Sequence, residues 1–579
     1  MTTLEKSIQQ KIDTWLQGNF HIDTKNTLQK MLQEGKIDAL QDAFYKDLTF
    51  GTGGLRGIMG VGTNRMNRYT VGLATQGLSN YLQQCFPDQR IQVAIAYDSR
   101  HQSKAFAQIV ADVFSANGCQ VYLFKALRPT PELSFAIRHL RCHSGVVITA
   151  SHNPKEYNGY KAYWTDGAQL VAPHDQRVIE AISKISLEEV NFIAQPENIT
   201  LIGEEIDELY LQKILQLSIS KEAIRQQKDL KIVYTPLHGT GITLIPPLLS
   251  KMGFEQVTVV KEQAEPSGNG DFPTVVYPNP EEAEALSLAL EKARHLEADL
   301  VMATDPDTDR VGIAVKNHQG AFQLLNGNQT GSLLFYYLLA ARQKAGQLTG
   351  DEYVVKTIVT TDLMDQIAAD YGVDCYHTLT GFKHIAAVIR QLEGKKTFVA
   401  GAEESYGYMV GDFVRDKDGV AACAMIAELS AFAKAQQQSL FDLLLDLYLK
   451  YGYYYETLFS LTKKGQEGAE AIQQMMQRFR THPPRQLGGL EVVRLRDYQS
   501  LTEHHLTEGT ITPLDFQDKS NVLQFFTAEG SKISVRPSGT EPKIKFYVSL
   551  KEALPQKSAY DAVTAKLQQK IAAIKQDLL

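Results

Sequence analysis

Cysteine is scarce, with five residues in 579, at positions 85, 119, 142, 375 and 423. They lie far apart and include no C-x-x-C pair, so neither a disulfide framework nor a zinc site is suggested, and a reducing cytosol fits best. An excess of positive charge is also missing. Lysine and arginine number 59 against 66 aspartates and glutamates, a formal net charge of −7, so a dedicated nucleic-acid binder with a basic stripe is not expected. Anionic substrates must then be met by local basic clusters. No stretch approaches the uninterrupted apolar length of a membrane span, and Met1-Thr2-Thr3-Leu4-Glu5-Lys6 lacks the charged-then-apolar order of a signal peptide. The expectation is a cytoplasmic protein that engages neither nucleic acid nor membrane. Nor does the composition lean towards disorder, since 44% hydrophobic and 22% charged residues are ordinary for compact globular units.

At 579 residues the chain exceeds what one core organises, so several domains are expected. Leu4 to Asp47 mixes apolar residues with Lys, Gln and Glu at helical spacing, which predicts amphipathic helices. From Ile91 short apolar runs alternate with helical patterns: Ile91 to Ala96, Lys104 to Asn117, Gln120 to Phe124, then Val146 to Thr149. A second cycle runs through Leu230 to Tyr234, Val257 to Val260 and Asp299 to Ala303, and a third from Tyr353–Lys356 to Thr397–Ala400. That rhythm predicts α/β layers. The last portion changes character, with strand-like runs at Val522–Phe526, Lys532–Val535 and Ile544–Val548 before a helix near Tyr560 to Leu579. The expected fold class is α/β, with three related α/β domains plus a C-terminal α+β domain around a central cleft. The expected limits are 1–205, 206–325, 326–455 and 456–579. Each of the first three units delivers a polar loop just past an apolar strand, where open α/β sheets bind ligands.

Those loops carry the chemistry. Ala150-Ser151-His152-Asn153-Pro154 follows Gly145 to Thr149 and presents one hydroxyl ahead of the polar, Gly-containing stretch Lys155 to Lys161. Turn chemistry alone would justify Ser, Asn and Pro there, and no G-x-S-x-G elbow surrounds Ser151. A phosphorylated Ser151 would instead supply a dianion and a transferable group. Asp305, Asp307 and Asp309 alternate after an apolar strand; in extended backbone they point one way and can converge on a hard cation such as Mg²⁺. The other reading is a solvated acidic turn. An EF-hand is excluded, because Arg310 stands where Gly is needed and Lys316 where the bidentate Glu is needed. Arg310 itself is suited to a phosphate. Glu403-Glu404-Ser405 offers acceptors and a hydroxyl to a sugar, or caps a helix. Arg536, Ser538, Gly539 and Thr540, with Lys543 and Lys545 behind them, have the composition of a phosphate nest. Phe50 to Gly57 is Gly-rich enough to approach a ligand closely but lacks the Lys-Ser/Thr ending of a Walker A loop, which leaves Arg56 as its one chemically useful residue. Asp98 and Arg100 read as a scaffold ion pair.

These segments, in this order from about Phe50 to Tyr547, resemble the α-D-phosphohexomutase superfamily, which includes phosphoglucomutases and phosphomannomutases. The resemblance implies a four-domain, heart-shaped enzyme in which phospho-Ser151 gives its phosphoryl group to a hexose phosphate. A bisphosphorylated sugar then turns over in the cleft and returns its other phosphate. It further implies one Mg²⁺ per chain held by Ser151, Asp305, Asp307 and Asp309, with glucose 1,6-bisphosphate as activator. Arg56 and Lys161 would flank the transferring group, with Lys161 and His152 as proton carriers. Arg310, Lys383, Glu403, Ser405, Arg536, Ser538, Gly539, Thr540 and Lys545 would contact the phosphorylated hexose, and the protein would be a monomer or homodimer. The Glu-Glu-Ser-Tyr-Gly loop is similar to the phosphoglucomutase and phosphopentomutase-like branch, which favours interconversion of glucose 1-phosphate and glucose 6-phosphate, with mannose phosphates as further substrates. Within the same chemistry the alternatives are a phosphopentomutase and a glucose-1,6-bisphosphate synthase. From another class, a phosphatase with Asp305 as nucleophile would share the Asp-x-Asp but leave Ser151 and the Arg536 loop unexplained, and a silent sugar-phosphate sensor would keep only the binding loops.

Overall fold

The computed structural model describes residues 4–51, 53–265, 267–463, 465–516, 518–538 and 542–579. Three helices open the chain, Lys6–Gln17, Ile22–Gln33 and Ile37–Phe44, as the apolar spacing predicts. Their stripes, including Ile8, Ile12, Leu28 and Leu40, close with Trp15 and Phe44 on Tyr69 of the next helix, Arg68–Cys85.

The first sheet holds β1 (Gly54–Ile58), β2 (Gln92–Tyr97), β3 (Gln120–Phe124), β4 (Ser144–Ile148), β5 (Tyr157–Tyr163) and β6 (Ile199–Ile202), in the order β1-β5-β4-β2-β3-β6. The second holds β7 (Ile232–Thr235), β8 (Val257–Val259), β9 (Leu300–Thr304), β10 (Val311–Lys316) and β11 (Phe322–Leu325), ordered β11-β10-β9-β7-β8. The third holds β12 (Glu352–Thr357), β13 (Asp374–Thr378), β14 (Thr397–Ala402) and β15 (Tyr408–Val410), ordered β13-β12-β14-β15. One pattern recurs in all three. A central strand (β2, β7, β12) pairs in parallel with the next strand on one side and with a later strand (β4, β9, β14) on the other. That later strand then turns back into an antiparallel partner (β5, β10, β15). The Ser151, Asp305 and Glu403 loops are the three equivalent turns between those last two strands. The inner parallel strands β2, β4, β7, β9, β12 and β14 are buried and largely apolar because helices cover both faces, whereas the edge strands β6, β8 and β13 are partly exposed.

Two stretches differ from expectation. The polar segment up to Lys161 is the strand β5, and the Gly-rich segment near Arg56 is β1, paired antiparallel with it. A Cβ on Gly54 would lie 1.9 Å from the Tyr160 carbonyl oxygen, and one on Gly159 would lie 2.4 Å from that of Thr149. These glycines admit neighbouring backbone rather than a ligand.

The C-terminal region is a fully antiparallel sheet of β16 (Tyr453–Thr462), β17 (Gln486–Leu487), β18 (Leu490–Asp497), β19 (Thr502–His505), β20 (Thr510–Pro513), β21 (Leu523–Thr527), β22 (Lys532–Pro537) and β23 (Lys543–Glu552). Its path is β16-β23-β22-β21-β18-β19-β20, with β17 pairing β18. Helices Gly465–Thr481 and Tyr560–Leu578 pack on it. At the centre of the molecule the helix Gly419–Ala435 is buried along almost its whole length. Its one internal carboxylate, Glu428, accepts from the backbone N–H groups of Ile219 and Ser220, both at 2.7 Å, and from the Tyr337 hydroxyl at 2.5 Å.

Candidate active site

Each of the three equivalent loops holds one non-glycine residue in the left-handed region: Ser151 at φ 52°, Thr308 at 57° and Tyr406 at 64°. Such conformations cost roughly 1–3 kcal/mol each and persist where the surroundings impose them. For Ser151 the surroundings are specific. Its N–H donates to Thr149 Oγ1 at 2.8 Å, while Arg100, fully buried against Asp98, donates to the carbonyls of Ser151, Asn153, Pro154 and Tyr157. Asp98 and Arg100 are therefore the scaffold pair that the sequence suggested, and the loop they hold is the one that carries the serine.

Ser151 Oγ donates to Asp305 Oδ2 at 2.7 Å and lies 3.3 Å from His152 Nδ1. Asp305, Asp307 and Asp309 are buried and offer three carboxylate oxygens within 4.8 Å of one another. They converge through a tight turn, not through the extended backbone that their alternation predicts: Thr308 N–H closes on the Asp305 carbonyl at 2.9 Å. Asp305 Oδ1 accepts the N–H groups of Asp309 and Arg310 at 3.1 and 3.0 Å. Thr240 supports the turn from below, donating its N–H to the Pro306 carbonyl and meeting the Thr308 hydroxyl at 2.7 Å. Lys161 Nζ reaches from β5 to Asp307 Oδ2 at 2.7 Å and Asp309 Oδ2 at 3.3 Å, and Lys417 Nζ meets Asp309 Oδ2 at 3.2 Å. Burial, then the carboxylates of Asp307 and Asp309, push Asp305 well above the usual carboxylate range. Two buried oxygens, Asp307 Oδ1 and Asp309 Oδ1, have no hydrogen-bond partner. Buried orphan carboxylate oxygens beside a third carboxylate match the all-oxygen demand of Mg²⁺.

Beside this cluster opens a polar cavity of about 860 Å³. Of the residues singled out in the sequence, His152, Arg310, Glu403, Glu404, Ser405, Arg536, Lys543 and Lys545 line it. Arg310 Nη1 is paired with Glu281 Oε1 at 2.6 Å. Glu403 accepts the Gly381 N–H at 2.9 Å; burial pushes its carboxyl up to about 7, with Lys417 opposing the shift and Glu404 adding to it. Arg536 and Lys545 face each other across the β22–β23 hairpin, and Ser538 N–H closes the hairpin on the Lys543 carbonyl at 2.7 Å. Gly539 and Thr540 lie outside the described residues. Arg56, on β1, stands within electrostatic reach of Asp307, Asp309, Asp305 and Arg310. Lys383 is off the cavity lining, next to Asp175 and Asp518.

Three successive α/β/α domain models of one family match the chain: phosphoglucomutase/phosphomannomutase domain I over residues 47–189, domain II over 208–320 and domain III over 326–451. The chain belongs to the phosphoglucomutase/phosphomannomutase family. As a member it is an enzyme, a phosphosugar mutase. A phosphoglucomutase of Staphylococcus haemolyticus is 37% identical over 515 residues, covering 88% of this chain and 91% of the relative. One of Staphylococcus aureus (strain MRSA252) is 38% identical over 531 residues, covering 91% and 94%. Among solved structures, pp63/parafusin from Paramecium, a phosphoglucomutase in its open form, superposes with a TM-score of 0.66 at 17% identity, over 91% of this chain and 95% of that one. A phosphoglucomutase/phosphomannomutase family protein from Burkholderia thailandensis gives 0.64 at 18%, over 92% and 98%. At those identities the structures speak for the fold.

This family member has site residues that the sequence reading passed over. Lys417 lines the cavity and braces Asp309. Its signal was present in Asp416-Lys417-Asp418-Gly419, where Asp418 caps the central helix by accepting the Ala421 N–H at 2.8 Å and Asp416 accepts the Tyr163 hydroxyl at 2.7 Å. Thr130, whose hydroxyl donates to Asp307 Oδ2 at 3.1 Å, and Glu281, which holds Arg310, carry no such local signal.

Proposed function

We propose that the chain interconverts glucose 1-phosphate and glucose 6-phosphate, and takes mannose phosphates as further substrates, through a phosphoryl group carried on Ser151. The observation that carries this reading is the 2.7 Å contact of Ser151 Oγ with Asp305, at the junction of the first two sheets and beside a cavity walled by Arg310, Arg536 and Lys545. The free hydroxyl of the sugar attacks phosphorus as the Ser151 Oγ–P bond breaks. The hydroxyl proton ends on the serine oxygen, relayed by His152, 3.3 Å away, or by Lys161. The resulting bisphosphorylated sugar turns over in the cleft and returns its other phosphoryl group to Ser151. Arg56 and Lys161 set fixed positive charge beside the moving oxygens, a task of positioning more than of covalent chemistry. Arg536, Ser538 and Lys545, with Gly539 and Thr540, receive the phosphate that is not being transferred. Glu403 and Ser405 take the sugar hydroxyls, Arg310 exchanges Glu281 for phosphate, and Lys383 supplies an outer contact.

Asp305, Asp307, Asp309 and the Ser151 phosphate would hold one Mg²⁺, which would supply positive charge to offset the transferring oxygens. Glucose 1,6-bisphosphate serves as activator by reloading the serine, and the enzyme works in the cytoplasm. An aspartate nucleophile is disfavoured because both Asp305 oxygens are already engaged, one by two backbone N–H groups and one by Ser151. The test is a coupled assay of glucose 6-phosphate formation from glucose 1-phosphate with Mg²⁺ and a trace of glucose 1,6-bisphosphate, run beside mannose 1-phosphate and ribose 1-phosphate. Turnover of the glucose ester, with a phosphoryl-sized mass on the Ser151 peptide, supports the reading. Turnover of ribose 1-phosphate alone would replace it with a pentomutase, and release of free phosphate without isomer would overturn it.

A further inference from the structure

The strand β13 places Cys375 and His377 two residues apart, on one side of the backbone. The helix Leu363–Asp370 lays Asp365 against them. One donor atom from each of the three lies within 4.8 Å of the other two, and His377 Nε2 is already 2.5 Å from Asp365 Oδ1. Tetrahedral coordination by sulfur, nitrogen and oxygen at zinc bond lengths needs ligand-to-ligand edges of roughly 3.3–3.8 Å, so small side-chain adjustments would complete three corners. We propose that Asp365, Cys375 and His377 form a binding site for a zinc-class divalent ion, separate from the acidic loop, with the fourth position open to water.

The donor chemistry selects the ion. A thiol, an imidazole and one carboxylate favour Zn²⁺ or Co²⁺ over Mg²⁺, which prefers the oxygen-only cluster around Asp305. The site is reachable, since the side chains of His377 and Asp365 are 36% and 23% exposed. It is also oriented from outside the donor set: Asp365 Oδ2 sits 2.8 Å from the ammonium of Lys356, which fixes the carboxylate and turns its other oxygen to His377, as outer partners do in built metal sites. The thiolate and carboxylate together neutralise a dication, and the thiol proton passes to solvent when the ion binds. The wide spacing of the five cysteines hid this grouping, because Asp365 joins it only through helix-on-strand packing.

The experiment is a titration of the full-length protein with Co²⁺ in an excess of Mg²⁺, followed by absorption. The expected result is one Co²⁺ per chain with a thiolate-to-cobalt charge-transfer band and the intense visible bands of a tetrahedral ion, displaced by Zn²⁺. Cys375→Ser should abolish the charge-transfer band, His377→Asn should weaken Co²⁺ binding at least about tenfold, and Asp305→Asn should leave the band intact. His377 is exposed enough that its variant folds whatever the fate of the cysteine variant. Absence of the band in the unaltered protein, or its persistence in Cys375→Ser, would overturn the proposal, as would its loss in Asp305→Asn.

Discussion

Ser151 is 4% exposed, sits in a backbone conformation that side chains rarely adopt, and has its loop carbonyls gathered by one arginine. A hydroxyl that served only the turn would not need this support. On the proposed mechanism, alanine at this position removes the phosphoryl carrier while leaving Arg100, Asp98 and the loop in place. Ser151→Ala should lower kcat by on the order of 10³-fold or more and shift stability by no more than about 1 kcal/mol, as read by steady-state rates beside urea unfolding. Turnover near that of the unaltered enzyme would remove the serine from the mechanism. Glu403 gives a pH signature. Burial pushes its carboxyl up to about 7 in the folded protein, above its unfolded value of about 4.5, so the native state binds the extra proton between those two values. Its contribution to folding stability therefore falls as pH rises through that window and is fully lost above about 7. A sugar hydroxyl donates more strongly to the ionised carboxylate than to the neutral acid, so KM should fall as pH rises through about 7 in the unaltered enzyme. Glu403→Gln should instead show a high, flat KM and a stability gain at alkaline pH, measured by KM profiles and by melting at matched pH. A KM profile for Glu403→Gln that still bends near neutrality would reassign the titration.

The elements were legible where burial is two-sided and obscure where polar chemistry rides on a strand. β2, β4 and β9 read as strands because helices cover both faces and leave almost no polar positions, and β12 does so through Tyr353-Val354-Val355 despite its buried Lys356. β5, with Asn158, Gly159 and Lys161 inside it, reads as a loop although it is paired on both sides. β15 is three residues long, too short for any period to show. The carboxylate cluster was legible from its spacing, but its backbone was not, because Thr308 closes a turn with no glycine to announce it. The glycines ahead of Arg56 were legible as special but not for the right partner. Gly54→Ala discriminates between the two uses. If the glycine admits a ligand, stability should be unchanged and only KM should rise. With Tyr160 O 1.9 Å from the new Cβ, the β1–β5 pairing must open instead, at a cost of several kcal/mol, in the range of severe overpacking. A clear drop in the urea midpoint without any ligand present is the expected outcome; an unchanged midpoint would contradict the packing account.

At the scale of the molecule, the first three sheets converge on the acidic loop, joined there by Lys161 to Asp307, Thr130 to Asp307 and Tyr163 to Asp416. The fourth sheet is attached differently. Across Gly452, which takes φ 99°, the Tyr448 and Tyr453 rings lie 4.5 Å apart at 34°, Tyr560 packs edge-on against Phe441, and Lys557 pairs with Asp446 at 2.6 Å. On the cleft side the link is a small apolar cluster of Ile358, Val359, Leu379, Tyr498, Val522 and Tyr547 together with a polar bridge. In that bridge Lys532 of β22 donates to Asp362 Oδ1 at 2.5 Å and to the Thr360 carbonyl at 3.0 Å, and Gln524 donates to the Ile358 carbonyl at 2.7 Å. The apolar core around Gly452 continues unbroken from the third unit into the fourth, so the cleft-side contacts at the front are the part of this interface that one substitution can loosen. Lys532→Met tests the front contact cleanly, because Lys356 remains 2.8 Å from Asp362 and no buried carboxylate is left unpaired. Without ligand, the variant should exchange backbone hydrogens faster at Thr360 to Asp362 and show a larger radius of gyration, while the phosphoryl content of Ser151 stays the same. KM should rise, since Arg536 and Lys545 would spend less time facing the cavity. Unchanged hydrogen exchange and an unchanged radius would mean that the apolar cluster alone holds the fourth sheet, and that Lys532 acts only as part of the cavity wall.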